Sequence, residues 1–301
     1  MTKGKPNRLP PNPHISVVVT SRNEGKRLRA TVENLQDTLP AKGEILVVDD
    51  GSTDGSTRFI TRRPRRGVKV HRKKGLGVAR ARNWGASHTR GDVVVFADAH
   101  IVLKPGWWKP LLELLENPRV GASAPGIDDL RHKNWLGFGL TLPSPNLAAK
   151  WMDWTIEDPR PVAVLPGCCM AMRRETFEAT GGMDESLLVS GGVDNEFCVR
   201  LWLLGYELWI SPDTVVSHHF RRRSPYPISW TEAVHNRLRL ALIHLSPKRT
   251  GKAVRALSDL KGFDEAVARV LEGNVSERRA QLSSQKVRGD DWFFEKFGIH
   301  W

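Results

Sequence analysis

No stretch of this chain approaches the roughly 18 to 20 unbroken apolar residues that a membrane-spanning helix needs, so such a span is excluded. The opening residues, MTKGKPNRLPPNPH, lack the apolar centre of a secretory signal, and none is expected. Cysteine is scarce. Cys168, Cys169 and Cys198, two of them adjacent, do not make a disulfide framework, and a reducing, cytoplasmic setting is the expectation. Internal repeats and long low-complexity runs are also lacking, which argues against repeat and fibrous architectures. Acid is missing locally: from Gly55 to Gly91 there is no Asp or Glu against twelve Lys or Arg. A second basic stretch, Arg221 to Arg255, holds Glu232 as its only acid.

What is present suits a folded domain. The 301 residues are 40% apolar and 26% charged, enough to bury a core and too apolar for wholesale disorder. The net charge of +13 attracts phosphate, nucleic acid, anionic lipid or a nucleotide diphosphate. Residues 1–13 are Pro-rich and polar and read as a mobile arm. Beyond them strands and helices alternate. Strands are expected at Ile15–Ser21, which is nearly continuous β-branched residues, and at Glu44–Asp49, Val68–Arg72 and Asp92–Ala97. Helices are expected from Asn23-Glu24-Gly25 to about Asp37, over Val78–Ser87, and from Pro105 to about Glu116. This rhythm predicts an α/β fold with an open, mostly parallel sheet flanked by helices.

The second half reads as strands at 119–125 and 162–172 around a long irregular region, 126–160. An amphipathic helix follows at Asp194–Leu204, then short strands near 206–210 and 214–218. The pattern is helical from Ser229 to about Leu271. Trp292, Phe293, Phe294, Phe297 and Trp301 in the last thirty residues are expected to dock back onto the domain.

Ligands of open α/β sheets bind beyond the carboxyl ends of the strands. Three polar clusters fall there: Thr20-Ser21-Arg22-Asn23-Glu24, Asp49-Asp50-Gly51-Ser52 and Asp98-Ala99-His100. A lone Asp after a strand is more often a turn or cap residue. Three clusters on successive strand ends favour one shared site.

The segments VVVTSRNE, VVDDGSTD, Arg-Ala-Arg-Asn and VVFADAH resemble the nucleotide-binding half of a family 2-type glycosyltransferase of the GT-A fold. PGCCMAM, GGVDNEFCVRLWLLGYEL and SPDTVVSHHFRRRSPY are similar to the catalytic region of polypeptide N-acetylgalactosaminyltransferases. The resemblance covers residues 14–230. It implies a nucleotide-sugar-binding half at 14–125, an acceptor half at 126–228 and a helical extension at 229–301. With about seventy residues after 230, the lectin module typical of the animal enzymes is not expected within them.

The resemblance also implies roles. Asp98 and His100, two apart at a strand end, can face one ion. His218, with His219 as its competitor, resembles the third ligand. This set suits Mn²⁺ or Mg²⁺, with the imidazoles favouring Mn²⁺. Thr20 and Asp50 match positions holding uracil and ribose, with Asp49 an alternative and Arg22 in the same cluster. Lys74, Arg80 and Arg82 are candidates for the diphosphate. Gly75-Leu76-Gly77 is a weak dinucleotide fingerprint, with Arg80 where its third glycine would stand. Gly167 and Cys168 sit where the family's backbone approaches the donor sugar, and a nucleophilic Cys168 is not favoured. Asp194 and Glu196 are the catalytic candidates; acids also suit a helix start electrostatically. Arg221 and Tyr226 match a loop that folds over the nucleotide. Val193 and Ser190 replace a Glu and a Trp of the retaining family, which leaves stereochemistry and donor sugar open.

The implied activity is transfer of an N-acetylhexosamine or hexose from a UDP-sugar to a hydroxyl, with a peptide Ser/Thr acceptor. A small-molecule acceptor, or a lipid-linked one with peripheral membrane contact, is the alternative. A facial-triad iron oxygenase is disfavoured by the alternating helices and strands. A non-catalytic nucleic-acid-binding protein accounts for the charge but not for the acidic strand ends, which repel phosphates unless a metal intervenes.

Overall fold

The computed structural model describes residues 8–189 and 191–301. Of the expected arm at 1–13, residues 1–7 lie outside these, as does Ser190; residues 8–13 are coil. The first half follows the sequence closely: β1 (Ile15–Ser21), α1 (Lys26–Thr38), β2 (Glu44–Asp50), α2 (Arg58–Arg62), β3 (Val68–Lys73), α3 (Gly77–Ser87), β4 (Val93–Asp98), β5 (Ile101–Val102) and α4 (Lys109–Glu116). The expectation that α4 starts at Pro105 is corrected. Gly106 has φ +79°, which a right-handed helix cannot hold, so residues 105–108 form a turn and the helix starts after it.

The second half is more strand-rich than its sequence suggests. It holds β6 (Val120–Asp129), β7 (His132–Gly137), β8 (Leu140–Thr141), β9 (Lys150–Trp151), β10 (Arg160–Pro161), β11 (Cys169–Arg173), α5 (Arg174–Ala179), α6 (Val193–Leu203) and β12 (Glu207–His218). The region 126–160 is therefore not one loop: β6 runs on to Asp129 and turns back as β7. The strand expected at 162–172 is only β11. Val162–Leu165 is buried but irregular, and Pro166-Gly167 separates it from the strand. The two strands expected at 206–210 and 214–218 are one, β12, whose register shifts between Ser211 and Val215. Pro212 sits at that irregularity, where a strand tolerates a residue without an N–H. The extension is helical: α7 (Trp230–His244), α8 (Pro247–Ser258), α9 (Phe263–Leu271), α10 (Val275–Ser283) and α11 (Asp290–Lys296).

The sheet runs β3-β2-β1-β4-β11-β6-β12-β10. β1, β2, β3 and β4 are parallel, β11 is antiparallel to β4 and to β6, and β12 is parallel to β6. The carboxyl ends of β1, β2, β4 and β12 therefore share one edge with the start of β11. Alternate residues feed opposite faces. Val17, Val19, Val93 and Val95 join Leu28, Val32 and Leu35 of α1 and Leu111 of α4, while Val18, Val94 and Phe96 join α3, α6 and α11.

α6 corrects another expectation. Its first-turn charges suggest an amphipathic helix, yet every residue except Asp194 is buried. The C-terminal aromatics do dock. Phe293 and Phe294 are buried and the Trp301 indole N–H donates to Leu142 O at 2.9 Å. Among the described residues no helix is long and apolar enough to cross a membrane.

Candidate functional site

β1 lies between β2 and β4, so successive strands leave it in opposite directions. A crevice opens at such a switch point. Here it is a cleft of about 260 Å³ lined by Thr20 near the end of β1 and Arg22 just past it, Asp50 at the end of β2, Asp98 at the end of β4 with His100 beyond it, and Gly167 and Cys168 before β11. Asp194 of α6, with Arg221 and Tyr226 beyond β12, closes it. Backbone register sets this assembly: Thr20 stands beside both Val48 and Asp98.

The floor is a three-residue cluster. The donor atoms of Asp98, His100 and His218 all lie within 4.8 Å of one another. His218 Nε2 is 3.2 Å and His100 Nε2 is 3.8 Å from the same Asp98 Oδ2. Burial raises the Asp98 carboxyl, but the His218 hydrogen bond and the His100, His218 and Arg82 charges outweigh it and hold it well below the usual carboxylate range. His218 is the inward histidine. His219 donates its backbone N–H to His100 O and its ring belongs to no such cluster among the described residues.

These residues fit a divalent cation. One carboxylate and two imidazoles converge, and His100 Nδ1 is engaged on its other side by Glu24 at 3.4 Å and Arg221 at 2.7 Å, which leaves Nε2 for the ion. A carboxylate behind a ligating histidine fixes its ring orientation. Glu24, buried and also paired with Arg221, is a site residue that sequence reasoning placed in a cluster without assigning. Its signal was its position just past β1.

Arg82 joins the two halves of the cleft. Its guanidinium is buried, donates to Asp194 Oδ1 and to Gly167 O at 2.6 Å each, and lies 3.8 Å from Asp98. It is thus a clamp between carboxylates rather than a free cation for phosphate. Gly167 is required by close approach: a Cβ there would collide with the Asp194 carboxylate.

Other candidates lie elsewhere. Asp50 lines the cleft and accepts the Leu76 and Gly77 N–H groups at 2.7 and 3.0 Å. Those amides are the turn of Gly75-Leu76-Gly77, so the fingerprint reading is corrected: the turn serves a carboxylate. Asp49 is buried beneath, bonded to Ser52 N–H and the Thr57 hydroxyl, and does not line the cleft. Arg80 is exposed, with Nε on Glu185 O, and Lys74 is exposed; neither lines the cleft.

Glu196 is corrected most firmly. Residues i and i+2 of a helix point about 200° apart. Asp194 faces the cleft, so Glu196 turns into the core, fully buried between Arg200 at 2.9 Å and His244 at 2.8 Å. Those partners outweigh burial and hold its carboxyl far below the usual range. Cys168 lines the cleft, but burial and the nearby Asp98 push its thiol well up, against a nucleophilic role. Val193, at the departure from the retaining family, is buried in the cleft wall.

The glycosyl transferase family 2 model matches residues 16–181. The chain belongs to glycosyl transferase family 2. A model described as the N-terminal domain of galactosyltransferase matches residues 155–223. Human polypeptide N-acetylgalactosaminyltransferase 15 is 32% identical over 257 residues, 76% of this chain and 39% of that protein. Polypeptide N-acetylgalactosaminyltransferase 11 of Xenopus tropicalis is 33% identical over 263 residues, 77% of this chain and 43% of that one. The chain thus spans less than half the length of these relatives. The crystal structure of GalNAc-T7 with UDP, GalNAc and Mn²⁺ superposes with a TM-score of 0.78 at 23% identity, over 95% of this chain and 57% of that one. That likeness establishes the GT-A architecture.

Proposed function

We propose that this chain is a metal-dependent glycosyltransferase that moves an N-acetylhexosamine or hexose from a UDP-sugar to an acceptor hydroxyl, with peptide Ser/Thr as the acceptor. The observation that carries this reading is the convergence of Asp98, His100 and His218 at the cleft floor, with a second carboxylate, Asp194, clamped opposite by Arg82. A Mn²⁺ or Mg²⁺ ion held by the three would supply Lewis-acid neutralisation of the departing diphosphate. The relatives' names, and the UDP, GalNAc and Mn²⁺ of the GalNAc-T7 structure, support the same donor chemistry.

The chain's own residues do the rest. Residues 14–125 bring Thr20 and Asp50 to the base and ribose. The Asp50 carboxylate keeps acceptor capacity beyond its two amide bonds, enough for the uracil N3–H. Residues 126–228 bring Gly167 and Asp194 to the sugar and the incoming hydroxyl. Retention follows if Asp194 only holds the sugar, inversion if it takes the hydroxyl proton, and the product anomer reads out which. Arg221, and Tyr226 stacked on Arg22 at 5.1 Å, cover the cleft and exclude water that would otherwise hydrolyse the donor.

A lipid-linked acceptor is a second reading, favoured by exposed Ile228 and Trp230 near the exposed, cationic Arg222 and Arg223. The three unpaired thiols suit a reducing, cytoplasmic setting. A thermal-shift panel of nucleotide sugars with and without Mn²⁺ tests the donor, since a true ligand stabilises the folded state. UDP-sugars are expected to raise the midpoint only with the metal; no shift from any nucleotide sugar would refute the reading.

A further inference from the structure

The opposite edge of the sheet carries a second cavity, of about 340 Å³. Arg173 opens into it from the end of β11, beside Val93 at the start of β4. Arg173 is five positions along the chain from Cys168, which places it about 16 Å from the cleft.

Arg173 is 1% exposed, and none of its three guanidinium nitrogens has a hydrogen-bond partner among the described residues. A guanidinium stays charged in a protein, and an uncompensated buried charge is strongly destabilising. Three of its neighbours, Arg174, Asp92 and Glu178, are already engaged. Arg174 donates to Gly91 O, Ala86 O and the Thr89 hydroxyl at 2.6, 2.7 and 3.0 Å. Asp92 accepts the His14 backbone N–H at 2.8 Å, and Glu178 lies 3.7 Å from Arg174. Glu175 acts on Arg173 only through space. At the mouth, Arg8 and Arg90 have no ion pair among the described residues. Residues 1–7, MTKGKPN, contain no acid that could answer Arg173.

We propose that this cavity binds a phosphate-class oxyanion, with Arg173 as the inner donor and Arg8 and Arg90 at the mouth. A planar guanidinium fork matches phosphate oxygens. Asp92, Glu175 and Glu178 also line the cavity, but Asp92 and Glu178 already have partners, so three cations without an ion pair face one such acid, Glu175, and the surplus suits an added anion. The anion is either free phosphate or the phosphate of a phosphomonoester.

Calorimetric titration of inorganic phosphate into metal-free protein tests this. One site is expected, weakened at least tenfold by Arg173→Met and less by Arg90→Gln. Met keeps the side-chain length and removes an unpaired charge, so the variant's unfolding midpoint should not fall; Arg90→Gln, at the surface, gives the test a second variant that folds. Arg221→Ala, which alters the nucleotide cleft, should leave phosphate affinity unchanged. O-phosphoserine binding more tightly than phosphate assigns a phosphomonoester source, and weaker binding assigns free phosphate. Four results overturn the proposal: no binding to the wild-type chain, affinity untouched by both arginine variants, loss in Arg221→Ala, or acetate binding as tightly as phosphate.

Discussion

Asp194 and Glu196, two apart on α6, face opposite ways. Asp194 is the one unburied residue of α6 and lines the cleft; Glu196 is sealed in the core with Arg200 and His244. Asp194→Asn is therefore expected to slow transfer far more than it weakens UDP binding, measured by steady-state turnover beside UDP titration. A matched loss in both would make it a structural residue. Glu196→Gln breaks a buried charge network, which typically costs about 3–5 kcal/mol. Urea unfolding should show that loss, while turnover per folded molecule stays near wild type. Asp98→Asn or His100→Ala should cut metal-dependent transfer at least about a hundredfold in protein that remains folded. The resemblance made both first-turn acids of α6 catalytic candidates. Helical periodicity shows that only one can face the cleft, but not which one.

At the scale of elements, the strand ends were legible because buried parallel strands have near-continuous apolar runs and stop at polar residues. Thr20, Asp50 and Asp98 follow from that signal. The basic stretch was less informative. It contributes one buried clamp, Arg82, and two exposed side chains, Lys74 and Arg80, and composition does not distinguish a cation aimed at carboxylates from one facing solvent. The segment beyond β12 holds Arg221 against Glu24 and His100, and Tyr226 against Arg22. Arg221→Ala and Tyr226→Ala are expected to raise UDP release relative to glycosylated product, or to weaken the donor complex. Unchanged partitioning and unchanged donor affinity in both variants would remove the lid role.

At the scale of the whole molecule, buried histidines make stability depend on pH. Burial pushes His235 and His244 below their ordinary value of 6.5, despite the Asn236 and Glu196 hydrogen bonds that oppose it. The unfolded chain then binds protons first, so stability is lost as the pH falls below about 6.5. Glu196 acts lower: its folded pKa is depressed, so its contribution is full above the ordinary 4.5 and disappears as acid approaches the folded value. Urea midpoints should therefore fall between pH 7.5 and pH 5, and fall further below pH 4.5; a flat profile would contradict the neutral burial of these rings. The docked C-terminal aromatics are part of the same core, and Phe294→Ala should cost about 3–5 kcal/mol.

The central claim is that Asp98, His100 and His218 would hold a divalent ion that supports binding of the donor's diphosphate, and calorimetric titration of UDP tests it most directly. With Mn²⁺ present the chain should bind UDP at one site, with binding lost on chelation and in Asp98→Asn. Equal UDP affinity with and without the metal, in the wild type and the variant alike, would contradict the account.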